Sequence, residues 1–163
     1  MDLILWRHAE AGDPLDDPQA DLERPLSPKG ERQARRVAEW LNQFLPDSAR
    51  VLSSPALRCL QTVAPLGRRV KKAPALGPDG DVEGLLAATR WPDSREPVLV
   101  VGHQPTLGRV AAYLMAGETT LTGDPWTIKK GSVWWLRHRP REGRAEVQII
   151  AVRTAEEIGR AHV

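Results

Sequence analysis

Three short segments of the chain share one grammar: an apolar run breaks off into residues suited to holding a phosphoryl group. They are Leu5-Trp6-Arg7-His8, Leu52-Ser53-Ser54-Pro55-Ala56-Leu57-Arg58 and Val100-Val101-Gly102-His103. Arg7 and Arg58 each present a planar fork of donors that fits phosphate oxygens and stays charged at any working pH. A neutral imidazole at His8 can attack phosphorus in line. His103, once protonated, can donate to the oxygens that gather charge in the transition state. Phosphoryl transfer is catalysed mostly by positioning and electrostatic stabilisation, and these four groups could supply both.

Such residues must be carried to one place by the elements around them. Leu3 to Trp6 reads as a buried strand. Ala9 to Leu26 is a loop rich in Asp and Pro. Ser27-Pro28 then has the form of a helix N-cap followed by proline at the first helical position. Ala34, Val37, Ala38, Leu41 and Leu45 fall on one helical face, and Pro46-Asp47 ends that helix. Arg50 to Ser53 is a second strand, and Ser54-Pro55 opens a helix to about Ala64. Val70 to Leu76 reads as a weak strand interrupted by Pro74, and Asp81 to Thr89 as a short helix. Val98 to Val101 has no polar alternation, as expected of a central strand covered on both faces. Pro105 to Met115 is the next helix, and Val133–Arg137 and Val147–Val152 are two closing strands. This alternation predicts an α/β fold: a three-layer sandwich with a mostly parallel central sheet and helices on both faces. Ligands of such sheets sit beyond the carboxyl ends of the strands, where all three polar segments emerge. Arg58 falls in the first turn of its helix, near a positive terminus that favours anions.

A length of 163 residues suits a single domain over 1–163, with 153–163 as a polar tail or a frayed helix. Such a chain buries roughly 70% of its unfolded surface and needs no disulfide or metal to fold. Its one cysteine, Cys59, allows no internal disulfide, the N-terminus lacks the basic start of a signal peptide, and no apolar run approaches a membrane span. A cytoplasmic protein with no membrane partner is expected. The 23 basic and 21 acidic residues nearly balance, and the cluster Arg68, Arg69, Lys71, Lys72 reads as a solvated surface rather than a nucleic-acid site. His8-Ala9-Glu10 resembles the H-x-E of zinc deaminases but lacks the P-C-x-x-C that must follow. His138 and His162 have no ligand spacing, and no Walker A loop is present. No metal and no cofactor is expected, and Cys59 reads as a buried, inert thiol.

Taken in order, Arg7-His8, Ser54-Pro55-Ala56-Leu57-Arg58 with Gln61-Thr62, and Gly102-His103 resemble the histidine phosphatase superfamily. Arg24-Pro25-Leu26-Ser27-Pro28-Lys29-Gly30 and Gly80-Asp81 are similar to segments of its small bacterial branch, the SixA-type phosphohistidine phosphatases. The resemblance spans almost the whole chain. It implies a phosphoglycerate mutase-like fold, transient phosphorylation of His8, and phosphoryl binding by Arg7, Arg58 and His103. Arg24 and Gly102 would be further pocket residues. The best-known members have Gly after the nucleophile. This chain has Ala9, which would be costly if the backbone there needed an angle open only to glycine.

The leaving group separates the possible substrates. Cleaving a phosphate ester leaves an alkoxide, which a carboxylic acid normally protonates. The candidates are Glu10 and Asp81, and neither stands in a convincing acid motif. A phosphoramidate asks less, because a departing imidazole can take its proton from solvent. The expected substrate is therefore phosphohistidine on another protein, bound at an open, shallow site that also accepts phosphate-like anions. The alternatives are a phosphatase of small phosphate esters and a phosphate-binding module without turnover.

Overall fold

A computed structural model describes residues 1–160 of the chain. Its elements in chain order are β1 (Asp2–Arg7), α1 (Pro18–Leu22), α2 (Pro28–Phe44), β2 (Arg50–Ser53), α3 (Leu57–Val63), β3 (Lys71–Lys72), α4 (Val82–Thr89), β4 (Val98–Gly102), α5 (Thr106–Ala116), β5 (Val133–Arg141), β6 (Arg144–Arg153) and α6 (Ala155–Arg160). The strands form one sheet in the order β3-β2-β4-β1-β5-β6. The β3-β2, β2-β4 and β4-β1 pairings are parallel, and β5 and β6 close the edge antiparallel. The fold is the expected α/β sandwich.

Side-chain alternation along the central strands feeds two cores. Ile4 and Trp6 of β1 join Leu99 and Val101 of β4, Val37 and Leu41 of α2, and Ile158 of α6 on one face. Leu3 and Leu5 join Val98 and Val100, Leu85 of α4, and Leu107 and Val110 of α5 on the other. Every residue of β4 is buried, which is why its sequence is apolar without interruption. Ser27 caps α2 by accepting from the Gly30 amide at 3.1 Å, with Pro28 in the first turn, as its sequence predicts.

The structure differs from the sequence reading at four places. The Asp/Pro-rich loop contains α1, a five-residue helix capped by Asp17 and too short to show an apolar period. The third strand shrinks to Lys71–Lys72, because Pro74 cannot donate to a ladder and begins a 3₁₀ turn over Pro74–Leu76. Helix α3 starts at Leu57 rather than at Pro55, with Ser54 Oγ accepting from the Ala56 amide at 3.2 Å. The segment read as a polar tail holds α6, which packs on α2 with Ala155 and Ile158 buried. Burying one isoleucine is worth roughly 1.5–3 kcal/mol, enough to dock one short helix turn. His162 lies outside the described residues.

Candidate active site

The carboxyl ends of β1, β2 and β4 stand side by side in the sheet, so Arg7, Ser53 and Gly102 end in one row. His8 leaves β1 with its amide donating to the Gly102 carbonyl at 3.1 Å. Gly102 thus holds the first strand end through its backbone. The His8 ring is buried, and its Nδ1 lies 2.8 Å from the Ala9 carbonyl oxygen. A carbonyl only accepts, so Nδ1 carries the proton and Nε2 keeps its lone pair. Burial first, then the charges of Arg58, Arg7 and Arg24, push the His8 pKa down from 6.5 to about 4, against the opposing Ala9 hydrogen bond. At neutral pH His8 is an uncharged imidazole with a free Nε2.

His103 sits beside it, ring centroids 5.4 Å apart. Its Nε2 is 2.8 Å from Ser54 Oγ and its Nδ1 is 3.5 Å from Arg58 Nη2. A guanidinium only donates, so Nδ1 is the acceptor and Nε2–H donates to Ser54. Burial, followed by Arg58 and His8, lowers its pKa to about 3. His103 is therefore a neutral imidazole in the free site at neutral pH, and the donation considered from sequence requires it first to take up a proton. Cys59 Sγ lies 3.5 Å from the same Nε2, and burial holds its thiol up at about 12, so it is no thiolate.

The guanidinium groups are fixed from outside the pocket. Arg58, on the first turn of α3, donates from Nη1 to the Asp21 carbonyl at 2.8 Å and pairs through Nη2 with Asp21 Oδ2 at 3.4 Å. Arg24 donates from Nε to Asp21 Oδ1 at 3.0 Å and from Nη1 to the Ala11 carbonyl at 2.7 Å. Arg7 donates from Nη1 to the Ile128 carbonyl at 2.8 Å. The Nε atoms of Arg7 and Arg58 are buried without a protein partner. Buried donors on charged groups are costly until an acceptor meets them, and an oxyanion supplies such acceptors.

The structure thus brings His8, His103, Arg7 and Arg58 together, with Arg24 one residue away through Asp21. The two carboxylates considered as acids are engaged elsewhere. Glu10 takes the Ser27 hydroxyl and, at 2.7 Å, the Gly12 amide, and these bonds hold its pKa below the usual range. Asp81 caps α4 by accepting from the Gly84 amide at 2.8 Å. Among the described residues no three His, Cys, Asp or Glu side chains converge on a point that could hold a metal ion.

Asp21 and the loop before β5 escaped the sequence reading, and Thr62 stands in the motif that follows Arg58 without its positioning role being legible. Asp21 gathers two arginines from α1, a helix too short to carry a periodic signal. Thr62 Oγ1 accepts from the Ala9 amide at 3.0 Å and donates to the Arg58 carbonyl at 2.7 Å, tying the His8 turn to α3. The loop before β5 supplies the Ile128 carbonyl. It approaches α5 so closely that a Cβ on Gly108 would meet the Trp126 carbonyl oxygen at 1.7 Å. Ala9 is not among the residues with positive φ, so its methyl carries no backbone penalty and is buried with Ala11, Leu26 and Ala34.

Comparison with known proteins decides the family. Residues 3–79 match the model of the histidine phosphatase superfamily (branch 1). The phosphohistidine phosphatase SixA of Escherichia coli is 36% identical over 128 residues, covering 73% of this chain and 77% of that one. The chain belongs to the histidine phosphatase superfamily. Among solved structures, a putative SixA from Nakamurella multipartitia superposes with a TM-score of 0.72 at 27% identity, over 93% of this chain and 94% of that one. A SixA complexed with tungstate gives 0.69 at 28% identity, over 95% and 97%. The likeness to the SixA branch of the superfamily extends over nearly the full fold. No helix among the described residues is long and apolar enough to cross a membrane.

Proposed function

We propose that this histidine phosphatase removes the phosphoryl group from phosphohistidine on a protein, through a phosphorylated His8. The observation that carries this reading is the His8 ring: its Nδ1–H is spent on Ala9, and its Nε2 is free, uncharged and flanked by buried guanidinium donors. In the first step Nε2 of His8 attacks phosphorus. The Nε2–P bond forms as the P–N bond to the substrate imidazole breaks, and that imidazole leaves with a proton from solvent. In the second step water attacks phosphorus, the Nε2–P bond breaks, and inorganic phosphate departs.

Arg7 and Arg58 stabilise the equatorial oxygens throughout, and Arg24 adds charge through the same cluster. Burial first, and then the positive charge of Arg58, keeps His103 neutral in the free site, and a bound dianion opposes both by offering the imidazolium a counter-charge. Nδ1 of His103 then takes a proton and donates to the phosphoryl group in place of its contact with Arg58. Glu10 and Asp81 are bound up in the 9–12 turn and the α4 cap, so neither of the two acids considered from the sequence stands ready to protonate an alkoxide. That favours a phosphoramidate over an ester. The tungstate held by the SixA structure is an oxyanion of the kind this pocket suits. A cytoplasmic setting fits the free, buried Cys59.

A side-by-side kinetic comparison at one pH tests the substrate. The kcat/KM for a phosphohistidine-bearing protein exceeds that for phosphoglycerate or sugar phosphates by orders of magnitude. A metabolite ester that matches or surpasses the phosphoprotein overturns the substrate assignment and leaves the His8 chemistry standing.

A further inference from the structure

A groove of about 610 Å³ opens directly beside the phosphoryl pocket. Its near end is formed by Asp21, the residue that holds Arg58, and by Pro55, three positions before Arg58. It runs from there to Gly80 and Gly84 at the start of α4. Two properties set it apart from the pocket it adjoins.

One is charge. Four aspartates line the groove (Asp16, Asp21, Asp79 and Asp81), with no lysine, arginine or histidine. Asp21 is already neutralised by Arg24 and Arg58, and Asp81 caps α4. Asp16 and Asp79 are exposed and make no ion pair among the described residues. A cationic pocket therefore opens into an anionic channel, in a chain whose net charge is +2. The other property is apolar surface. Leu15 and Leu22, from the loop and helix that carry Asp21, are 50% and 36% exposed on the groove wall, facing the Pro and Ala residues of the 74–78 turn. Together with that turn, the two leucines give the groove an apolar wall beside a polar site.

A ligand filling both regions must be negative at one end, and positive and apolar at the other. A small metabolite with a second phosphate or carboxylate meets the aspartates and is repelled. We propose that this groove seats the polypeptide that carries the phosphohistidine, and that it selects lysine or arginine together with apolar side chains next to the phosphorylated residue. The inference rests on the phosphohistidine reading above and adds to it the sequence context of the substrate.

The test uses two phosphohistidine peptides, identical except that the residues flanking the histidine are Lys and Leu in one and Glu and Ser in the other. Both are assayed with the wild-type chain and with D16N/D79N, two exposed positions outside the phosphoryl pocket. Vanadate inhibition serves as the gauge of that pocket. Wild type favours the basic peptide by at least tenfold in kcat/KM. D16N/D79N cuts that preference about fivefold, as expected for removal of two exposed charge pairs, and added salt erodes it in wild type. The vanadate inhibition constant stays put. Equal kcat/KM for the two peptides in wild type overturns the groove assignment and leaves the phosphatase reading intact. So does a preference of undiminished size in D16N/D79N. Hydrolysis of a small ester with neither peptide cleaved overturns the phosphohistidine reading, and the groove's occupant with it.

Discussion

Acidification should destabilise this protein through the two imidazoles of its site, in a pH window that separates them from the carboxylates. His8 and His103 titrate at about 4 and about 3 in the folded chain, against 6.5 in the open chain. Below pH 6.5 the unfolded state therefore binds more protons than the native one. Native stability is full above that value and falls as the pH drops towards 4 and 3. Between pH 8 and pH 5 each histidine forfeits about 2 kcal/mol, so together they cost about 4 kcal/mol. Asp2, Glu10 and Asp21, whose pKa values are also lowered, start from 3.8 to 4.5 in the open chain and contribute mainly below this window. Urea unfolding at pH 8 and pH 5 measures the loss. The wild-type chain should lose about 4 kcal/mol, and His8→Asn/His103→Asn should lose little. The same drop in both proteins would refute the claim that burial among arginines keeps these rings neutral. The same shift moves the acid limb of kcat/KM well below pH 6, because His8 stays unprotonated there.

Arg58→Ala should weaken vanadate inhibition at least tenfold, since a charge-assisted contact is worth about 1.5–3 kcal/mol; an unchanged inhibition constant would place Arg58 outside the anion site. Gly108→Ala should push the loop holding the Ile128 carbonyl away from α5, because the new methyl group meets the Trp126 carbonyl. The expected result is a loss of kcat/KM of about tenfold or more through a misplaced Arg7, with circular dichroism showing the sheet retained.

The sheet and most helices are legible because their signals are local. The VLVV run announces a strand buried on both faces, and Ser27-Pro28 followed by Ala34, Val37, Ala38 and Leu41 announces a capped, amphipathic helix. The parallel sheet then brings the ends of β1, β2 and β4 into one row, so His8, Arg58 and His103 could be named from the breaks in apolar runs. What stayed hidden depends on long-range contact. Asp21 matters because α1 folds back onto Arg58, 37 residues away in sequence. The Ile128 carbonyl serves Arg7 across 121 residues. The protonation state of His103 follows from burial, and then from the charge of Arg58 beside it, neither of which any spacing encodes. Helix α6 looked like a tail because its two buried residues, Ala155 and Ile158, are too few to make a period. Glu10 and Asp81 looked like candidate acids because a cap and an acid share the same carboxylate, and only their partners tell them apart.

In the proposed mechanism His8 itself carries the phosphoryl group. Rapid quenching of the enzyme during turnover of a labelled phosphohistidine protein, followed by peptide mapping, tests it most directly. One residue, His8, should carry the label, with a phosphate that is lost in acid and survives in alkali, and His8→Asn should show neither label nor turnover. Turnover without a labelled intermediate, label at another residue, or activity retained by His8→Asn would contradict it.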